Sequence, residues 1–574
     1  MYTRPVVILS ALLTACPGPV DTGDTGGEVI DPSTCTAWNA ETSGTLDDDC
    51  YRLSDGVRVS NAIVLSAGTV VVADANASLT IEGNGSLRTN GTQADPVRFE
   101  GVSSGAGTWR GISFSNTPSG ENVLSWLQID GAGGQNWNGA EGSSGALFAD
   151  GGSRIAADNL TITNSAGIGI TWWDNDVDAT LDTVTISSTA QAMSVHLRHT
   201  TDFSGAFWLD GDDPTVHISN DTLDDDTTMP ALDYTIEIGL DVAADLTIEP
   251  GATLSFSANT SVVIDGGSLN AEGTADAPIT LQGLEAVSGY WLGVRLQTSP
   301  SANNVWTHVS ILHGGSQPWN GNDDSDASVF LDNDNIRLTV TDSRIADSDA
   351  AGIRIELDAV NDDVSFERVA FDNTEEPVKT SPAGVASLGA DLTFSGNDDT
   401  VIRVLAGDLN EDATWLNHGI DYALPVGMDV YADLTLSPGS QLRFGPGARL
   451  RISDAISGGV LIADAEGGDP ILFSGMEQTP GYWLGISLNT ATGSNVLHNT
   501  RIEYAGSNSW NGNPDNIGAL FLQSGSRLEL RDTTFANNLG DSDVLVAGAS
   551  TVISGCTNIT GTFRGDAQAT FCTQ

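Results

Sequence analysis

Two loops concentrate carboxylates. Asp210-Gly211-Asp212-Asp213 and Gly321-Asn322-Asp323-Asp324-Ser325-Asp326 each put several side-chain oxygens within a few residues, and Asp224-Asp225-Asp226 adds a third acidic run. Calcium takes about six to eight oxygens, so Asp210, Asp212, Asp213, Asp323, Asp324 and Asp326 are the candidate ligands. Neither loop has the spacing of an EF-hand or an RTX nonapeptide. The same residue types also build solvated turns, and both readings stand. The sequence calls for no cofactor; calcium is the one it accommodates.

Nitrogen ligands are sparse. His196 and His199 have metal-like spacing, but in a strand they point to opposite faces. The remaining histidines are His217, His308, His313, His418 and His498. No nucleophile elbow, phosphate loop or dinucleotide fingerprint occurs in its required context. Aromatic residues are the other candidates. Trp137, Trp319 and Trp510 each open a Trp-Asn-Gly triplet, completed by Asn138, Asn320 and Asn511. Asn-Gly demands a tight exposed turn, and an exposed ring beside it can stack on a sugar. These six residues are the candidate ligand-binding set.

What positions them is a long internal repeat. Gly289-Tyr290-Trp291-Leu292-Gly293-Val294 returns as Gly481-Tyr482-Trp483-Leu484-Gly485-Ile486, and more loosely as Gly107-Thr108-Trp109-Arg110-Gly111-Ile112. Tyr51, Tyr234 and Tyr422 each precede a glycine (Gly68, Gly251, Gly439) by the same distance: 68 − 51 = 251 − 234 = 439 − 422 = 17. Asn-Val follows at 122–123, 304–305 and 495–496, and then the Trp-Asn-Gly triplet. Three copies in one register define repeat architecture. Recurrence assigns Trp109, Trp291 and Trp483 to packing. Aligning the copies sets His308 against Asn499 and His498 against Thr307, so no histidine is shared by all three.

Within each copy, strands of three to five residues alternate with Gly, Asn and Asp turns, and no amphipathic helix of useful length follows residue 50. Leu160-Thr161-Ile162-Thr163 is matched by Val184-Thr185-Ile186-Ser187, where 186 − 162 = 24, about one solenoid turn. The pattern predicts an all-β chain: a right-handed parallel β-helix of three long repeats, 51–233, 234–421 and a shortened 422–574.

The run LTIEPGATLSF, then LNAEGTADAPITLQG, GYWLGVRL and NNVWTHVSI, resembles the right-handed parallel β-helix proteins of the pectate-lyase-like superfamily, and more narrowly bacterial surface lipoproteins of that fold. Enzymes of the superfamily set aspartates, a basic residue and often a histidine on one face. Here Gly-His-Gly and Arg-Ile-Lys are absent, and Asn-Asp-Asp at 322–324, 361–363 and 397–399 lies in turns. A solenoid needs covered ends. Cys35 with Cys50 and Cys556 with Cys572 fall at the two ends and read as capping disulfides, the first within an N-terminal cap over 35–50.

Residues 1–15 read as a signal peptide, with an apolar core from Pro5 to Leu13 too short to span a bilayer. Leu13-Thr14-Ala15-Cys16 resembles a bacterial lipobox, making Cys16 the lipidated residue; 16–34 is a flexible acidic tether. The expected location is the cell envelope, outer membrane or cell surface, with secretion as the alternative. The formal charge is 22 − 76 = −54, and Lys379 is the sole lysine. Such a surface repels nucleic acid. The membrane, through the lipid, is the expected partner, with polysaccharide or another surface protein as the ligand. The function expected is a non-catalytic binding, adhesion or scaffold rod; a polysaccharide lyase or glycoside hydrolase and a purely structural component are the alternatives.

Overall fold

A short strand bounded by turns leaves both backbone edges unpaired, so a coil of such strands holds only between two others. The chain meets this demand by winding. The computed structural model describes residues 30–565, except 220–221, 454–457, 492, 511, 513–514, 524 and 549. Its strands pair in parallel with those one turn away, in sheets of 14, 13, 12, seven, six and six strands. The fold is an all-β parallel β-helix. The helical segments are short 3-10 pieces: Pro32–Thr34, Leu197–Asp202, Asp323–Ser325 and Ala383–Ser387. Among the described residues no helix is long and apolar enough to cross a membrane.

Parallel register stacks like upon like. In the 14-stranded sheet Leu79, Ile112, Leu147, Ile170 and Met193 are successive partners, and the column continues through Val216, Tyr234 and Leu254. All are inside the core. Ile162 and Ile186 are register partners, as their spacing predicted. Corners are turned by single left-handed residues, among them Asn159, Thr183, Asp342, Arg368 and Asp532.

Each repeated mark has a physical task. The indoles of Trp109, Trp291 and Trp483 are fully buried. They stack on Phe99 (6.2 Å), Phe256 (4.2 Å) and Phe444 (4.3 Å). Each Nε1 donates to a carbonyl one turn on: Asp130 (2.8 Å), Leu312 (2.8 Å) and Glu503 (2.7 Å). The glycine two residues later is obligatory. Gly293 has φ +117, and a Cβ there would lie 2.0 Å from the Ser328 carbonyl oxygen; Gly111 and Gly485 are equally confined. The asparagine of Asn-Val is buried, and its Oδ1 accepts from a backbone N–H of the preceding turn: Leu87, Leu269 and Leu461 for Asn122, Asn304 and Asn495.

The copies do not stack face over face. Tyr51 lies in Cys50–Leu53 of the 12-stranded sheet, Tyr234 in Asp233–Ile236 of the 14-stranded sheet and Tyr422 in Asp421–Leu424 of the 13-stranded sheet. Each Trp-x-Gly mark likewise feeds a different sheet: Gly111–Ser115 the 14-stranded, Gly293–Thr298 the 13-stranded, Gly485–Asn489 the seven-stranded. One repeat is therefore a whole number of turns plus one face.

At the N-terminal end Cys35 and Cys50 are disulfide-bonded, 15 residues apart. The loop between them seats Trp38 against Tyr51 and Phe99, closing the core. Cys556 is also disulfide-bonded; Cys572 lies outside the described residues, as does Cys16. His196 and His199 depart from the strand expectation. His199 belongs to the 3-10 segment Leu197–Asp202, the two rings are 5.7 Å apart, and the His196 backbone N–H donates to His199 Nδ1 at 3.2 Å. The chain turns a corner there, and a helical turn brings i and i+3 together.

Trp291→Ala is expected to cost about 3–5 kcal/mol, read from guanidinium unfolding, because it removes a fully buried ring and its cross-turn hydrogen bond. Acid sensitivity follows from two histidines drawn from solvent, His199 buried and His418 half-buried. Burial pushes His199 down to about 3 and His418 to about 4, from an ordinary 6.5. The folded state holds both neutral while the unfolded chain takes protons, so stability is complete above pH 6.5 and falls as pH drops through the window below it. Denaturant midpoints should decline from pH 6.5 downward, and less steeply in His199→Leu.

Candidate functional site

Strand alternation points Leu147 and Ala149 inward, so Phe148 between them points out. It is buried all the same, as are Phe330 and Phe521 at the same place in the other copies. The Trp-Asn-Gly loop supplies the cover. Trp137 stacks on Phe148 at 5.8 Å and Trp510 on Phe521 at 5.6 Å. The indole Nε1 donates to the carbonyl eight residues on in every copy: Gly145 (2.8 Å), Ala327 (2.9 Å) and Gly518 (2.9 Å). Each tryptophan stays half-buried.

The asparagines shape the loops. Asn138 Oδ1 accepts from the Ala140 N–H at 3.0 Å, and Asn320 Oδ1 from the Asn322 N–H at 3.1 Å. Ser143 and Ser325 brace the same loops from within. Gly139, Gly321 and Gly512 follow in left-handed conformations. Asn511 lies outside the described residues. The outward phenylalanines were missed in the sequence. Their signal is an unbroken apolar run (ALFA, VFL, ALFL) where a one-sided strand would alternate.

Beside the first platform is a cleft of about 320 Å³ lined by Arg58, Arg110, Ser113, Trp137, Phe148 and Asp150. The Arg110 guanidinium lies over the Trp137 ring at 4.5 Å and donates to the Trp137 carbonyl. Burial raises the Asp150 carboxyl above its ordinary range. One platform thus offers an aromatic ring, two cations and an acid.

The second platform is different. Arg295, Phe330, Arg354, Lys379 and Arg403 are successive outward residues of the 13-stranded sheet. Arg295 lies over Phe330 at 5.7 Å. A cleft of about 530 Å³ is lined by Asp324, Arg354, Glu376, Lys379 and Arg403. Its cations are matched internally. Lys379 Nζ donates to Asp326 at 2.9 Å, Arg354 to Glu356 at 3.2 Å, and Arg403 holds Glu376. Burial lowers Arg354 from the usual guanidinium range, against the pull of Glu356, Asp324 and Asp326.

The acidic loops are accordingly engaged in other ways. Asp326 is paired with Lys379, and Asp213 with His217 at 2.6 Å and Thr215 at 2.8 Å. Asp210, Asp212 and Asp324 are exposed, and the side chain of Asp323 lies outside what is described. Among the described residues neither loop brings three ligand atoms within 4.8 Å of one another.

Trp137→Ala should loosen the loop without unwinding the coil. The amide of residue 137, bonded to the Ser143 carbonyl at 2.9 Å, should lose hydrogen-exchange protection, while those of Ile112 and Leu147 keep theirs. Unchanged protection at residue 137 would show that the ring does not hold the loop.

No protein-family model matches the chain, and no curated protein or solved structure matches it; the parallel β-helix rests on the strand pairing alone.

Proposed function

We propose that the protein is a non-catalytic cell-envelope rod, tethered by lipid at Cys16, that binds polysaccharide through its Trp-over-Phe platforms. The supporting observation is that the same loop is built three times, each with a half-buried tryptophan whose indole is held by a backbone carbonyl, and that the ring is stacked on a phenylalanine in the first and third copies. A ring fixed in this way stacks on a sugar without loss of side-chain freedom. The polar groups of the first cleft add the hydrogen bonds that orient a carbohydrate. The sequence resemblance to pectate-lyase-like surface lipoproteins agrees with this reading.

Incubation of the full chain with a polysaccharide panel, measuring retention and soluble products together, tests it. Retention without products is expected, with affinity reduced several-fold by Trp137→Ala and by Trp319→Ala. Released products would instead mark a lyase or hydrolase, and no retention by any member would leave a structural component.

A further inference from the structure

One side-chain cluster lies away from the platforms, in the third repeat. His498 ends the strand Asn495–His498, and its register partner on the preceding turn is Asp464. Its Nδ1 is 3.2 Å from Asp464 Oδ1. Glu466, on the turn that follows Asp464, completes the group: one ligand atom from each of Asp464, Glu466 and His498 lies within 4.8 Å of the others. The two carboxylates are exposed, whereas the His498 side chain is only 9% exposed. Its Nε2 is buried and has no hydrogen bond; Glu529, on the following turn, stands 3.6 Å away.

This layout separates the two ring nitrogens. One looks toward two carboxylates on a turn open to solvent. The other looks toward a third carboxylate, half-exposed on the next turn. That is the arrangement of a metal-bound imidazole, which binds through one nitrogen and donates from the other to a carboxylate. The aligned residue in the second repeat is Thr307, a hydroxyl paired with Thr341, so the coil's packing does not call for an imidazole at this place. Arg531, the register partner of His498 on the next turn, is a cation facing the site and is bound by Glu529.

We propose that Asp464, Glu466 and His498 form a site for a divalent first-row transition metal of the zinc type, with His498 ligating through Nδ1 and Glu529 holding Nε2–H. One nitrogen and two carboxylate oxygens suit zinc and leave a fourth position open to water. Tetrahedral bonds of about 2.0–2.1 Å place ligand atoms about 3.4 Å apart. The exposed carboxylates of Asp464 and Glu466 supply the small inward movement, and buried His498 stays fixed.

Titration of the full chain with Zn²⁺ by calorimetry, in millimolar Mg²⁺ to occupy the general acidic surface, tests the site. One tight equivalent is expected, with affinity lowered at least tenfold by His498→Ala and by Asp464→Asn. Glu529→Gln should weaken it about 10–100-fold by releasing the imidazole. Asp464 ends its strand with an exposed side chain, so Asp464→Asn should retain the fold, and Zn²⁺ should raise the melting temperature of the parent chain but not of this variant. Absence of a tight equivalent in the parent chain, or a tight equivalent that survives either ligand substitution, overturns the proposal.

Discussion

Every strand of this chain owes its backbone hydrogen bonds to a turn other than its own. That dependence sets the rest. A register slip in one turn would turn core residues outward and carry the error to its neighbours. The repeated marks act against such slips. A buried indole bonded across a turn, a glycine packed so close to a carbonyl that no Cβ fits, and a buried asparagine clipping the preceding turn fix position along the rod, around it and between turns. These are short-range devices, and three sets of them serve the whole length.

The cations are spent in the same way. Against a formal charge of −54, arginines pair with acids on adjacent turns: Arg52 with Asp74, Arg88 with Glu121, Arg295 with Asp332, Arg344 with Asp372, Arg443 with Asp421. Each pair acts as a rung between coils, and the surplus carboxylates remain on the surface. Even the sole lysine is committed, to an acid of the Trp-Asn-Gly loop that covers its sheet. Exposed pairs contribute little individually. Their larger effect is to keep like charges on neighbouring turns from facing one another.

Much of this was legible in the sequence because a repeat reveals which residues are equivalent. Fold class, turn length and the packing role of Trp109, Trp291 and Trp483 follow from recurrence alone. The apolar runs around Phe148, Phe330 and Phe521 mark strands covered on both faces, but a strand pattern does not say that a loop will fold back to supply the outer cover. His196 and His199 were misplaced because corner geometry depends on the turn beneath, which one segment does not encode. The acidic loops looked like ion sites because sequence shows the carboxylates and hides Lys379, 53 residues from Asp326.

The offset of one face per repeat has a consequence for what the rod can hold. A repeat of whole turns would set all three platforms in a single file along one side, able to grip one straight chain and blind elsewhere. The extra face distributes them around the axis like leaves on a stem. A planar surface then meets one platform at a time, whereas a mesh enclosing the rod meets all three. For the proposed polysaccharide ligand, engagement would multiply only where it surrounds the protein, so the geometry would favour a gel over a sheet.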